Sequence, residues 1–182
     1  MFPFNMSTPL SEIVKVVHGS GDFSSRLVSL VDREPGERLC AIEGAVLVNE
    51  RAYTSVQVSE EHDMELKSDL VYCNHSCDPS VIFDTSKLEV RVASDRPLRR
   101  SQDVTFFYPS TEWSMTQPFQ CNCGSERCLG MIKGAEDLDA GVLGQYWLTP
   151  HIRRLLEKRD GTREQGSFDQ TRVTHGMVGV KA

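Results

Sequence analysis

The apolar positions of this chain fall in short runs broken by glycine, proline and charged residues, and over most of its length their spacing is that of strands. Residues 1–12 hold two prolines and no periodicity, which predicts a flexible N-terminus. The run Ile13-Val14-Lys15-Val16-Val17 opens the core, Gly19-Ser20-Gly21 makes a tight turn, and residues 26–31 read as a second strand. After the turn Glu34-Pro35-Gly36-Glu37, an apolar run over 39–48 is broken by Gly44, and residues 53–58 alternate as a half-buried strand would. The acidic stretch 59–67 predicts at most a helical turn. Residues 80–84 and 88–93 read as a hairpin closed at Thr85-Ser86, and Val104-Thr105-Phe106-Phe107-Tyr108 is the most strand-like run of all. Helical spacing comes late, over 141–158, where Thr149-Pro150 should divide it in two. Residues 160–182, rich in Gly, Thr, Gln and charge, read as a disordered tail. The chain is thus predicted to be mainly β with some α.

Composition narrows the function. At 182 residues and 39% hydrophobic content the chain fits one core with short tails. A net charge of −6, with Lys and Arg scattered among acids, argues against a phosphate-binding surface and so against direct nucleic-acid binding. No run reaches the roughly 18 apolar residues of a membrane span, and the N-terminus has neither the basic nor the apolar region of a leader. The expected place is intracellular, cytoplasmic or nuclear, with no membrane partner.

The 6 cysteines carry the first chemistry. Cys121, Cys123 and Cys128 form Cys-x-Cys-x4-Cys, a spacing that lets thiolates converge on one ion. A closed tetrahedral zinc site needs a fourth ligand, and Cys77, among the turn-forming residues of Asn74-His75-Ser76-Cys77-Asp78-Pro79, is the best candidate. Cys40 and Cys73 lie in apolar runs and read as small buried hydrophobes.

In order along the chain stand a Gly-x-Gly turn, the Asn74-His75-Ser76-Cys77-Asp78-Pro79 segment, Asp103-Val104-Thr105-Phe106-Phe107-Tyr108, and Cys121-Asn122-Cys123-Gly124 with Cys128. This series resembles the SET domain of S-adenosylmethionine-dependent protein lysine methyltransferases, over about residues 13–133. The resemblance implies a β-clip-like fold of small sheets with a pseudoknot, in which the segment from Asn74 to Cys77 is threaded by the strand leading to Tyr108. It also implies a division into a SET domain over 13–118, a post-SET zinc loop over 119–133 and a C-terminal helical segment over 134–159. Gly19, Ser20, Gly21, Asn74, His75, Tyr108 and Leu129 would contact the cofactor. The glycines permit positive φ and close backbone approach to the cofactor. Tyr108 would be the catalytic tyrosine, and Phe106 the aromatic that limits how many methyl groups are added. Cys77, Cys121, Cys123 and Cys128 would hold one structural zinc, folding residues 119–133 over the cofactor.

The chain departs from that pattern where substrate is read. Only 52 residues separate Gly21 from Asn74, which leaves little for the insert that walls the peptide groove; Lys67-Ser68-Asp69-Leu70-Val71-Tyr72-Cys73 replaces the usual Gly-Asn-x-x-Arg-Phe lead, and Phe107 replaces an Asp common before the tyrosine. The leading expectation is methylation of a protein lysine on a non-histone or exposed segment. A small-molecule biosynthetic enzyme, with S-adenosylmethionine as donor or as a non-donating cofactor, is the alternative. A non-catalytic interaction module is the third.

Overall fold

The computed structural model describes residues 8–21 and 24–173, with side chains to residue 161. The expected flexible segment 1–12 falls partly outside that range. Inside it, Leu10–Ile13 forms a single helical turn, α1, which runs straight into β1, Val14–Val17. β1 pairs antiparallel with β2, Arg26–Ser29, across the glycine turn.

The apolar run broken at Gly44 becomes two strands in different sheets, β3 (Arg38–Ala41) and β4 (Val46–Val48). β5 (Ser55–Gln57) follows, and all three of its residues are buried, so the alternation expected over 53–58 is absent. Tyr53, at the start of that run, is 74% exposed. The acidic stretch is a strand, not a helical turn: β6, Asp63–Glu65, lies between β4 and β5 and pairs antiparallel with both. A partner strand on each side offers ladder partners to the backbone groups of β6, which outweighs the local preference of its acidic residues.

β7 is the short Asn74–His75 strand. The predicted hairpin forms as β8 (Val81–Asp84) and β9 (Glu89–Val92), with β9 in the middle of the sheet β3-β9-β8. The aromatic run gives only a two-residue strand, β10 (Thr105–Phe106); Pro109 cannot donate to a ladder, and Tyr108–Ser110 turns away as one 3-10 turn. β10 lies parallel to β7, in the register Thr105↔Asn74 and Phe106↔His75. β11 (Phe119–Gln120) and β12 (Met131–Ile132) close the cysteine loop as an antiparallel pair that sequence periodicity did not indicate. α2 is Ala140–Leu143 and α3 is Pro150–Val173, divided at Thr149-Pro150 as expected. α3 continues beyond residue 159; the rest of the expected tail, 174–182, lies outside the described residues.

Among the described residues, three apolar clusters result. The largest gathers Leu27 of β2, Val81 and Phe83 of β8, Val90 of β9, Phe106 of β10 and Leu98. A second joins Phe107 to Leu143, Leu148 and Ile152 of the C-terminal segment, and a third packs Ile132 with Cys77 and Cys121. Phe106 and Phe107, adjacent in sequence, therefore face different cores, as successive residues of an extended chain must. Among the described residues, no helix is long and apolar enough to cross a membrane.

Candidate active site and metal centre

The parallel pairing of β7 with β10 brings residues 74–77 beside residues 105–108, and the candidate chemistry sits at that junction. The Tyr108 hydroxyl donates to the Cys73 carbonyl at 3.2 Å. Burial pushes the phenol well above its ordinary range, helped by the nearby Cys73 and Glu112, so Tyr108 is a neutral hydroxyl and not a base at neutral pH. Its ring is tilted against Phe106, centroids 4.7 Å apart, and Phe106 in turn stacks on Phe83 at 4.2 Å. His75 and Phe119 present their edges to the same ring at 5.3 and 6.0 Å. The Tyr108 ring thus has aromatic neighbours from β7, β10 and β11.

His75 Nδ1 accepts the Tyr108 backbone N–H at 3.2 Å, which places the ring proton on Nε2, 3.4 Å from Cys77 Sγ. Burial lowers its pKa to about 4, and the ring is neutral. His75 therefore ties the tyrosine backbone to a cysteine of the metal cluster, a role that its place in the motif did not reveal.

The sulfurs of Cys77, Cys121, Cys123 and Cys128 all lie within 4.8 Å of one another, and those of Cys77 and Cys121 are 3.9 Å apart. A tetrahedral zinc with sulfur at ~2.3 Å needs sulfur–sulfur edges of about 3.8 Å. The donor set and its spacing fit that ion. The backbone N–H groups of Leu129 and Cys123 point at Cys77 Sγ and Cys121 Sγ, at 3.3 and 3.4 Å, as donors to thiolate do. Burial pushes the Cys77 thiol up to about 11 and Cys121 higher still, a cost of ionisation that a divalent cation offsets. Gly124, at φ +71°, makes the turn that sends the chain from Cys123 back to Cys128, a conformation side chains resist. Cys40 and Cys73 are buried in the main core, away from this cluster.

The predicted cofactor contacts separate into two groups. Residues 19–21 are exposed, and neither Gly19 nor Gly21 uses the positive φ that glycine permits. Gly19 is required instead by crowding, because a Cβ there would stand 2.2 Å from Ser24 Oγ. Asn74 Nδ2 donates to the Ser25 carbonyl at 2.9 Å, which holds β7 beside this loop. Asn74 Oδ1 has no hydrogen-bond partner among the described residues. Leu129 lies on the metal side, packed into both smaller cores. A cleft of about 360 Å³ opens elsewhere, between Leu10, Arg33, Arg38 and Ser68, and contains none of these residues.

Sequence reasoning missed Glu112, four residues past Tyr108 and almost fully buried. Its Oε1 accepts the Gln57 N–H at 2.9 Å, and burial raises its pKa to about 7. A single Glu between Thr and Trp carries no periodic or motif signal.

A methyltransferase of Aspergillus flavus, flvH, is 48% identical over 151 residues, covering 83% of this chain and 85% of that protein. The chain belongs to the SET-domain family of methyltransferases. An H3 lysine-36-specific histone-lysine N-methyltransferase of Debaryomyces hansenii is 31% identical over 129 residues, which are 64% of this chain and only 17% of that protein. In the fold comparison, the crystal structure of KRYPTONITE in complex with mCHG DNA and SAH superimposes with a TM-score of 0.50 at 19% identity, covering 65% of this chain and 28% of that one. No protein-family profile matches the chain. As a member of the family, this SET-domain chain is an S-adenosylmethionine-dependent methyltransferase with a cysteine cluster able to hold zinc.

Proposed function

We propose that this SET-domain chain methylates an amine nitrogen, with a protein lysine on a non-histone or exposed segment as the acceptor. S-adenosylmethionine supplies a methyl group on a sulfonium, open to in-line displacement. The observation that carries the reading is Tyr108: a neutral hydroxyl anchored on the Cys73 carbonyl, in a ring of aromatic side chains formed by Phe106, His75 and Phe119. Aromatic faces attract an alkylammonium group and leave a neutral amine unhindered. Alignment of acceptor and methyl group is most of what such a site must do, since the reaction needs no covalent help from the protein. Tyr108 orients the acceptor, and the Phe106 ring, packed on Phe83, sets the room beside it. On the cofactor side the exposed loop at 19–21 and the side chain of Asn74 would contact the amino-acid end, and Leu129 would contact the adenine. The four cysteines hold a structural zinc.

The lysine reading is supported by the likeness to histone-lysine N-methyltransferases. A second reading, a small-molecule amine as acceptor, draws on the insert: β4 to β6 are three residues each, and the outer strand β4 is exposed, which builds a low wall for a peptide.

Incubation of zinc-loaded protein with methyl-labelled S-adenosylmethionine, cell extract and peptide arrays tests both. Label in protein lysines is expected; label only in small molecules replaces the lysine reading with the second, and none in either defeats the enzyme assignment. Tyr108→Phe should keep affinity for S-adenosylhomocysteine within about twofold and lower transfer about 10²-fold. Unchanged turnover would remove Tyr108 from the mechanism.

A further inference from the structure

Tyr146 lies between α2 and α3, beyond the stretch over which the family motifs run. Its ring stacks on Phe107, centroids 3.7 Å apart and planes at 7°. Its hydroxyl donates to the Cys77 carbonyl at 2.8 Å. The guanidinium of Arg127, which stands in the cysteine loop between Cys123 and Cys128, lies 5.3 Å from the ring centroid. Arg127 also reaches Gln145 at 3.4 Å and Asp78 at 3.7 Å, and Asp78, next to Cys77, is held by a bidentate pair with Arg96. One phenol therefore touches the residue before Tyr108, the backbone of a metal ligand, and a side chain of the metal loop.

We infer that Tyr146 is a positioning residue that couples the metal centre to the methyl-transfer site. The inference rests on the function proposed above. Phe107 is buried at 2% exposure and shares a peptide bond with Tyr108, so the stack limits the swing of the strand end that carries the catalytic hydroxyl. The bond to the Cys77 carbonyl fixes the same ring to residues 74–77, which carry Asn74 and His75. A ligand that orders residues 74–77 and 105–108 must then also order the loop around the ion, and the ion must tighten the ligand by the same factor. Without Tyr146, the Leu129 N–H and His75, whose ring centroid lies 5.7 Å from that of Phe107, would remain as links between the two sites.

The test is zinc release from the full-length, zinc-loaded chain to a colorimetric chelator, with and without S-adenosylhomocysteine. In the native protein the ligand is expected to slow release about fivefold or more. Tyr146→Phe, which keeps the stack and loses the bond to Cys77, should cut that factor by about half. Tyr146→Leu, which loses the stack as well, should cut it further, leaving only what His75 and the Leu129 N–H carry. If Tyr146 contributes only general stability, both variants will release zinc faster by the same ratio with and without ligand, and an unchanged factor overturns the inference. The Phe variant alone decides the matter should the Leu variant fail to fold. Native protein that holds no zinc or binds no S-adenosylhomocysteine defeats the proposed function and this inference together; native protein that binds both, with a factor that the variants leave intact, defeats the inference alone.

Discussion

Glu112 shows how much a single residue can hold. Its carboxyl is buried among Gln57, Asp63, Thr111 and the guanidinium of Arg51, where burial, reinforced by the charge of Asp63, outweighs the Gln57 N–H and Arg51 and lifts its pKa from 4.5 to about 7. The folded chain thus binds this proton more tightly than the unfolded chain does. The stability so gained is complete below about pH 4.5 and is lost as pH rises to about 7. Glu112→Gln keeps an acceptor for the Gln57 N–H and removes the titration. Urea midpoints followed against pH should rise with pH over that window in the variant, because the lowered pKa of His75 then acts unopposed, and the variant should stand roughly 3 kcal/mol above the native chain beyond it. A variant with the native slope would show that Glu112 is ionised throughout. Tyr108 illustrates the reverse case, a group whose burial keeps it in the form it already has at neutral pH.

Among the elements, the loop between β11 and β12 depends most on something outside the polypeptide ladder. Its strands are two residues each, and its core is the cysteine sulfurs with Ile132, Phe119 and Leu129. So small a cluster cannot offset the entropy of ordering the loop unless a metal adds its binding energy. Cys121→Ser is expected to lower bound zinc to well under one equivalent and to open the loop to proteolysis, read by metal analysis and by mapping the cut sites. A full zinc complement in that variant would count against the ligand set. The hairpin β8–β9 and the division at Thr149-Pro150 were legible in the sequence, because local turn chemistry decides both. β6 was not, because its strand character comes from two partners distant in the chain. The aromatic strand proved shorter than its composition suggests, and Pro109 accounts for the difference.

At the scale of the molecule, two cores meet at the Phe106–Phe107 peptide, and the C-terminal segment seals the smaller one. Ile152 in α3 is fully buried there, and its helix begins where Thr149 Oγ1 donates to the Ser110 carbonyl and His151 Nε2 to that of Thr111. Ile152→Ala should cost about 2–5 kcal/mol, measured by thermal or urea unfolding, and should weaken S-adenosylhomocysteine binding because Phe107 loses its support. Loss of stability with native ligand affinity would mean that the second core does not reach the site.

The sequence by itself marked the candidate residues: Cys77, Cys121, Cys123 and Cys128 by a spacing that suits one ion, and Asn74, His75 and Tyr108 by the family resemblance. Its short apolar runs also indicated many short strands and a late helix, while the small-sheet architecture followed from the resemblance. Only the tertiary structure decided how those residues are joined. The parallel contact of β7 with β10 sets His75 between Tyr108 and Cys77, the crowding at Ser24 explains Gly19, and Tyr146 reaches back 69 positions to the Cys77 carbonyl. Contacts between residues so far apart leave no period in the chain; they exist because buried polar groups and rings must find partners wherever the packed fold brings them.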